Sequence, residues 1–296
     1  MSVSVLLGLL GPDIEDYEEE SFLVFSQSIP SQNLGFVDSK ATLLDLTIGE
    51  RDLSIHQSPT ILSSNRGGGT TGAVVWKITP LFARWVTAPT NLLFSLGILD
   101  SESTVLELGC GISGIIGLAC GPLIGSYVLT DQHYVMKLVS QNLEENRQAT
   151  SSTKKGRKSS SKSKRGAASA SQVQAAGNII ATPLDWETDE VLPSLTGTEL
   201  KRSFDAVIAC DCIYNDALIK PLVQTCIDTC KLRSSDEAEN EPAVCIIAQQ
   251  LRSAEVFEEW LKEFHRAFRV WRLPDEMLID GLKSDSGFVI HIGILR

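Results

Sequence analysis

TVLELGCGISGIIG, residues 104–117, decides how this chain is read. It opens as a short apolar run, as a strand buried on both faces should. CGISGIIGLACG (110–121) then starts as a loop and continues as a helix. Gly109, Gly111 and Gly114 make a G-x-G-x-x-G pattern between the two. In that setting glycine lets the backbone approach a ligand closely, and the ligand lies beyond the carboxyl ends of parallel strands. The pattern alone does not separate dinucleotides from other nucleosides.

The same beat continues outward. SYVLTD (126–131) is a second strand, and YVMKLVSQNLEENRQ (134–148) has near-helical apolar spacing. NIIATPLDW (178–186) is a third strand, FDAVIACD (204–211) a fourth and PAVCIIAQQ (242–250) a fifth. Helices are expected over DALIKPLVQTCIDTCKL and AEVFEEWLKEFHRAF. FRVWRL and GFVIHIGIL close the chain as two strands with no helix between them, so they must run antiparallel to each other. Strand–helix alternation of this kind gives an α/β fold with a mostly parallel sheet covered on both faces. Upstream the pattern is weaker. Residues 1–71 read as an extension with an acidic start, short apolar stretches and a glycine-rich loop, NRGGGTTG. LFARWV (81–86) begins a helix that runs toward NLLFSLGIL (91–99).

Charge sets apart one more segment. The chain of 296 residues carries a net charge of −11, which makes nucleic acid a poor default partner and a basic protein an easier one. Seven cations nevertheless lie between Lys154 and Arg165, in a Ser-rich run with no acid between Glu145 and Asp185. Residues 149–176 are therefore read as a disordered basic insertion. The run itself is a patch for nuclear import or for nucleic-acid contact, or else merely a solvated insertion. SVLLGLLG (4–11) lacks a preceding cation and is followed by DIEDYEEE, against a secretory signal. The seven cysteines are scattered, as reduced thiols in a cytosolic protein would be. Cys226 and Cys230 share a helix face and read as core. Cys210 and Cys212 flank Asp211 and are expected on one face of a strand end. The four histidines lack ligand spacing, and no metal is expected.

Asp131 ends the second strand, where a carboxylate can accept both hydroxyls of a ribose. It could equally cap the helix that follows. ELGCGISG, LTD, DW and ACDCIYN, taken together, resemble class I methyltransferases that use S-adenosylmethionine. The likeness is to the protein-lysine branch related to methyltransferase-like 21, and most to the fungal ribosomal lysine N-methyltransferase 5 family. It covers residues 72–296, the expected methyltransferase domain. The resemblance implies a seven-stranded Rossmann-like sheet, mostly parallel, whose last strand is antiparallel. It implies cofactor contacts from Trp76, Gly109, Cys110, Gly111, Asp131, Trp186 and Cys210, with Asp185 beside the adenine. Cys210 departs from the alanine usual in that family. It assigns the catalytic D-x-x-Y motif to Asp211 and Tyr214.

The implied activity is S-adenosylmethionine-dependent methylation of a lysine in a basic protein, a large-subunit ribosomal protein by the likeness. Methyl transfer to an amine needs alignment and a deprotonated lysine, but no metal and no covalent enzyme intermediate. Two other functions share the same glycine pattern. One is a non-catalytic binding protein on this fold. The other is an NAD-dependent oxidoreductase, for which no catalytic His/Lys/Tyr set is found. The expected form is a cytoplasmic monomer, with a nuclear location open through the basic run.

Overall fold

The computed structural model describes residues 2–31, 34–64, 69–152, 173–175, 177–234 and 241–296. Its framework is one large sheet. β3 (Thr104–Leu108), β4 (Ser126–Asp131), β6 (Ile179–Pro183), β7 (Ala206–Cys210) and β8 (Val244–Gln250) are parallel. β9 (Phe268–Arg272) and β10 (Phe288–Leu295) pair antiparallel, and β10 lies between β9 and β8. The described sheet runs β5-β6-β4-β3-β7-β8-β10-β9, where β5 (Val173–Ala175) adds an antiparallel edge. The terminal antiparallel pair expected from sequence is thus present.

Every residue of β3, β7 and β8 is buried, which explains why these strands are mostly apolar, with Glu107, Gln249 and Gln250 as the buried charged or amide exceptions. Alternate side chains feed two cores. Val105, Ile208 and Ile246 face one side with α4 (Ile78–Val86), α6 (Ile115–Cys120) and α7 (His133–Ser152). Leu106, Val207 and Ile247 face the other with α8 (Ile219–Ser234) and α9 (Ala254–Ala267). On α9, Phe257, Trp260, Leu261 and Phe264 form the buried stripe, and the Ser253 side chain caps the helix by accepting from Val256 N.

The first hundred residues differ from their expected layout. LLDLTIGERDLSIH folds as a separate antiparallel hairpin of β1 (Leu43–Ile48) and β2 (Arg51–His56). Two buried asparagines of α7 cover the free edge of β2. Ser54 N donates to Asn146 Oδ1 at 2.9 Å, and His56 N to Asn142 Oδ1 at 2.8 Å. α1 (Ser2–Leu10) puts Val3 and Leu6 in the first core, while α2 (Tyr17–Phe25) puts Val24 in the second. A short α3 (Pro59–Leu62) precedes the glycine loop, of which 65–68 lie outside the described residues.

The helix read from LFARWV begins earlier, at Ile78, and stops at Val86 rather than running on. Pro89 disfavours helix at the residue before it, and Asn91 caps a new helix, α5 (Leu92–Ser95), by accepting from Leu93 N. Of the segment 149–176, residues 149–152 continue α7 and 173–175 form β5. The basic run 154–165 lies outside the described residues.

Candidate active site

Strand order reverses between β3 and β7, with β4 and β6 on one side and β8 on the other. A cleft opens beyond the carboxyl ends of these strands, as open α/β sheets dictate. About 860 Å³ of empty space, open solvent at the mouth included, lies within it. Trp76, Gly109, Cys110, Gly111, Asp131, Trp186, Cys210, Asp211 and Tyr214 all line it. The structure therefore brings together every site residue named from sequence except Asp185, which precedes Trp186 but is not part of the wall.

The floor is the glycine turn after β3. Gly109 and Gly111 have φ of +68° and +60°, in the left-handed region that favours glycine. A Cβ on Gly109 would lie 2.6 Å from Cys212 Sγ and 3.1 Å from the Trp186 ring. Backbone is thus exposed where a side chain would fill the cleft. Asp131, the last residue of β4, accepts from Gly111 N at 2.9 Å and from Gln132 N at 2.7 Å. The Gln132 bond is to its immediate neighbour, so Asp131 ties the glycine turn to β4 instead of capping α7. Burial raises its carboxyl to about 6, against the pull of these two N–H groups.

Glu107 also faces the cleft and was read from sequence only as part of a strand. It is 2 % exposed and accepts from Tyr127 Oη at 2.7 Å. Burial raises its carboxyl to about 8. Both acids are raised above their ordinary values. Their contribution to stability is therefore fully present near pH 4 and is lost as pH rises through 6 to 8. Acids whose carboxyls are lowered, such as Glu20 and Asp13, act below that window. The melting temperature should fall between pH 5 and pH 8.5, and Glu107→Gln should flatten most of that fall. An unchanged slope in a thermal-shift series would refute the assignment to Glu107.

The wall opposite is the turn after β7. Asp211 has φ of +61°, the one non-glycine residue so placed among the described residues. Its N–H donates to Ala248 O at 2.7 Å. The carboxylate accepts from Arg252 Nη1 and Nη2 at 2.6 and 2.7 Å, and from Gln250 N at 3.3 Å. The left-handed residue ends the strand, so Cys210 and Cys212 do not share a face as expected. Cys210 packs in the first core and Cys212 in the second. Burial pushes both thiols well up, so neither is a reactive thiolate. Cys226 and Cys230 are buried in the second core, as read from their spacing.

Residues 71–76 arch over the mouth. Thr71 Oγ1 donates to Tyr214 Oη at 2.9 Å, and Trp76 Nε1 donates to Thr71 O at 3.0 Å. Trp76 is held between Phe36, with ring centroids 4.6 Å apart, and the Arg252 guanidinium, 5.0 Å from the ring. Neither Arg252 nor Thr71 was named from sequence. QQLR at the end of the fifth strand gives no motif, since the partner of Arg252 is set by the turn at Asp211.

The sheet order and this cleft are those of a class I methyltransferase fold. The lysine methyltransferase profile matches residues 55–157 and 167–263, and the chain belongs to that family. Among curated proteins, it is 29% identical to the Diaminohydroxyphosphoribosylamino-pyrimidine deaminase of Schizosaccharomyces pombe, over 87% of this chain and 53% of that protein. The chain thus spans about half the length of that relative. Ribosomal lysine N-methyltransferase 5 of Vanderwaltozyma polyspora is 27% identical, over 96% of this chain and 99% of its own. The Zygosaccharomyces rouxii protein of that name is 31% identical, over 75% and 72%.

S-adenosylmethionine, the cofactor of class I methyltransferases, fits the residues present. The open backbone at Gly109 and Gly111 accepts close approach, and the Asp131 carboxylate can accept ribose hydroxyls. Trp186 Nε1 is a buried donor with no acceptor among the described residues, and its ring lies beside Gly109. An adenosine ligand offers acceptors there.

Proposed function

We propose that this chain is an S-adenosylmethionine-dependent protein-lysine N-methyltransferase acting on a basic protein, a large-subunit ribosomal protein first among candidates. The observation that carries the reading is the lysine methyltransferase match across both halves of the cleft, from β2 into α9. The names of the yeast relatives support the ribosomal substrate. The net charge of −11 suits a basic partner. Residues 72–296 are read as the catalytic unit, 1–71 as an extension packed on it and 149–176 as an insertion. The protein is read as a cytoplasmic monomer, and any nucleic-acid contact or nuclear import would come from 154–165.

The cofactor is held by Gly109, Cys110, Gly111 and Asp131 on the floor, with Trp76, Trp186 and Cys210 on the walls. Bound S-adenosylmethionine would supply an electrophilic methyl on a sulfonium, with a neutral thioether as leaving group for an amine nucleophile. The residues of the chain must align the amine and exclude water. They must also bind it deprotonated, although a free lysine has a pKa of about 10.4. Asp211 accepts an N–H of the amine and orients it, since a carboxylate retains acceptor positions beyond a bidentate arginine. Tyr214 walls the entrance for the lysine and is fixed by Thr71.

The test is transfer of tritiated methyl from S-adenosylmethionine into ribosomes from a strain lacking this gene. A labelled large-subunit protein, with methyl-lysine on hydrolysis, is expected. Absence of label in ribosomes and whole extract alike, with cofactor bound, would favour a non-catalytic binding protein. Tyr214→Phe separates two ways this residue could act. It removes the acceptor for Thr71 but keeps the ring, and a loss of about tenfold in rate is expected if the fixed hydroxyl matters. An unchanged rate would leave only the ring as the working part.

A further inference from the structure

We propose that Arg252 is a positioning residue that neutralises Asp211, so that the target lysine is taken up as the free amine. The inference rests on the methyltransferase reading above and deepens it. Asp211 alone would draw in and retain an ammonium, the wrong protonation state for attack. Here its side chain is 2 % exposed and its two oxygens meet two N–H groups of the Arg252 guanidinium in a bidentate ion pair. The pair presents no net charge to an incoming amine. Arg252 is itself fixed, by Gln250 Oε1 at 3.0 Å and by the Trp76 face at 5.0 Å.

The surrounding geometry singles out this contact. Asp211 is held in a left-handed conformation that non-glycine residues rarely adopt. Such a conformation persists where neighbours over-determine it. The neighbours are Gln250 N and Ala248 O at the end of β8 and the Arg252 fork two residues beyond it. Through Trp76 and Thr71 the same network reaches Tyr214. Arg252 thus links both halves of the D-x-x-Y motif to the arch at 71–76. The other ionisable groups facing the cleft are Glu107, Asp131, Tyr214 and the thiols of Cys110, Cys210 and Cys212. Among the described residues that line the cleft, none is a cation that could replace the guanidinium.

The test is the pH dependence of kcat for tritiated methyl transfer into ribosomes from the deletion strain. Arg252→Met removes the charge and keeps most of the chain length. It should move the rising limb of the profile about one unit to higher pH, since an uncompensated carboxylate favours the ammonium. Activity should be depressed at least tenfold at pH 7.5 and should recover toward pH 9.5. The dissociation constant for S-adenosylmethionine, by calorimetry, should change less than twofold. Arg252→Lys keeps the charge without the fork, and should lose rate without moving the limb. Asp211→Asn combined with Arg252→Met restores a neutral pair, and should return the limb toward the wild-type position. A limb unmoved in Arg252→Met overturns the proposal. If that variant does not fold, a limb shifted upward in Arg252→Lys, or unmatched to wild type in the double variant, does so. Wild-type protein that labels nothing would instead sink the methyltransferase reading.

Discussion

Asp211→Asn should reduce methyl transfer about 10²-fold or more while leaving the S-adenosylmethionine dissociation constant within about threefold. Asparagine is the informative replacement. It tolerates the left-handed conformation that Asp211 occupies at φ +61°, whereas alanine would add a backbone cost of about 1–2 kcal/mol. The amide keeps the shape of the carboxylate but meets Arg252 with no charge and one acceptor. An incoming lysine then faces an unbalanced guanidinium as well as the sulfonium, and its binding as well as its orientation suffers. In the proposed arrangement the cofactor is held mainly by the glycine turn and Asp131, which make no printed contact with the Asp211 carboxylate, so its affinity should be spared. Wild-type turnover in this variant would remove Asp211 from the proposed machinery. A loss of cofactor binding equal to the loss of rate would mean that the turn itself had collapsed.

Why Asp211 could be found from sequence and Arg252 could not is a matter of where each contact is encoded. β3, β7 and β8 are buried on both faces, so their residues form apolar runs that end abruptly where the backbone turns. Those endings, at Gly109 and Asp211, mark the carboxyl edge of the sheet, and any cleft must lie there. Gly111 and Asp131 follow from the same logic, whereas Trp186 was named only through the family resemblance. Arg252 takes its meaning from a neighbour 41 positions away, across a strand pair, and only because Asp211 turns left-handed. That conformation also sent Cys212 to the face opposite Cys210, against the period-two expectation. Glu107 was hidden for a different reason: inside an apolar strand its carboxyl signals nothing until Tyr127 and the cleft are seen to share it. The β1–β2 hairpin escaped because its alternation is incomplete. Leu43 is 46 % exposed, and the hairpin buries its edge against asparagines rather than apolar side chains.

Gly109→Ala should cost the cleft its cofactor, with affinity for S-adenosylmethionine down about 100-fold, as a displacement of order 1 Å at a binding floor can cause. Two effects combine at this position. The left-handed φ of +68° penalises any Cβ by about 1–2 kcal/mol. The added carbon also lands 2.6 Å from Cys212 Sγ and 3.1 Å from the Trp186 ring, too close to be absorbed without movement. Gly111→Ala supplies the comparison, because its φ of +60° carries the same strain while the nearest atoms to its Cβ would all be Gly72 backbone, the oxygen at 3.3 Å, instead of the Cys212 and Trp186 side chains. The difference between the two variants therefore isolates the collision. Removing the sulfur should return part of that difference, so Gly109→Ala with Cys212→Ala should bind more tightly than Gly109→Ala alone. It should still bind more weakly than wild type, because the strain and the Trp186 contact remain. Equal affinities for Gly109→Ala and Gly111→Ala, by calorimetry, would show that backbone strain alone governs the turn. Wild-type affinity in both would show that the cofactor does not lie on it.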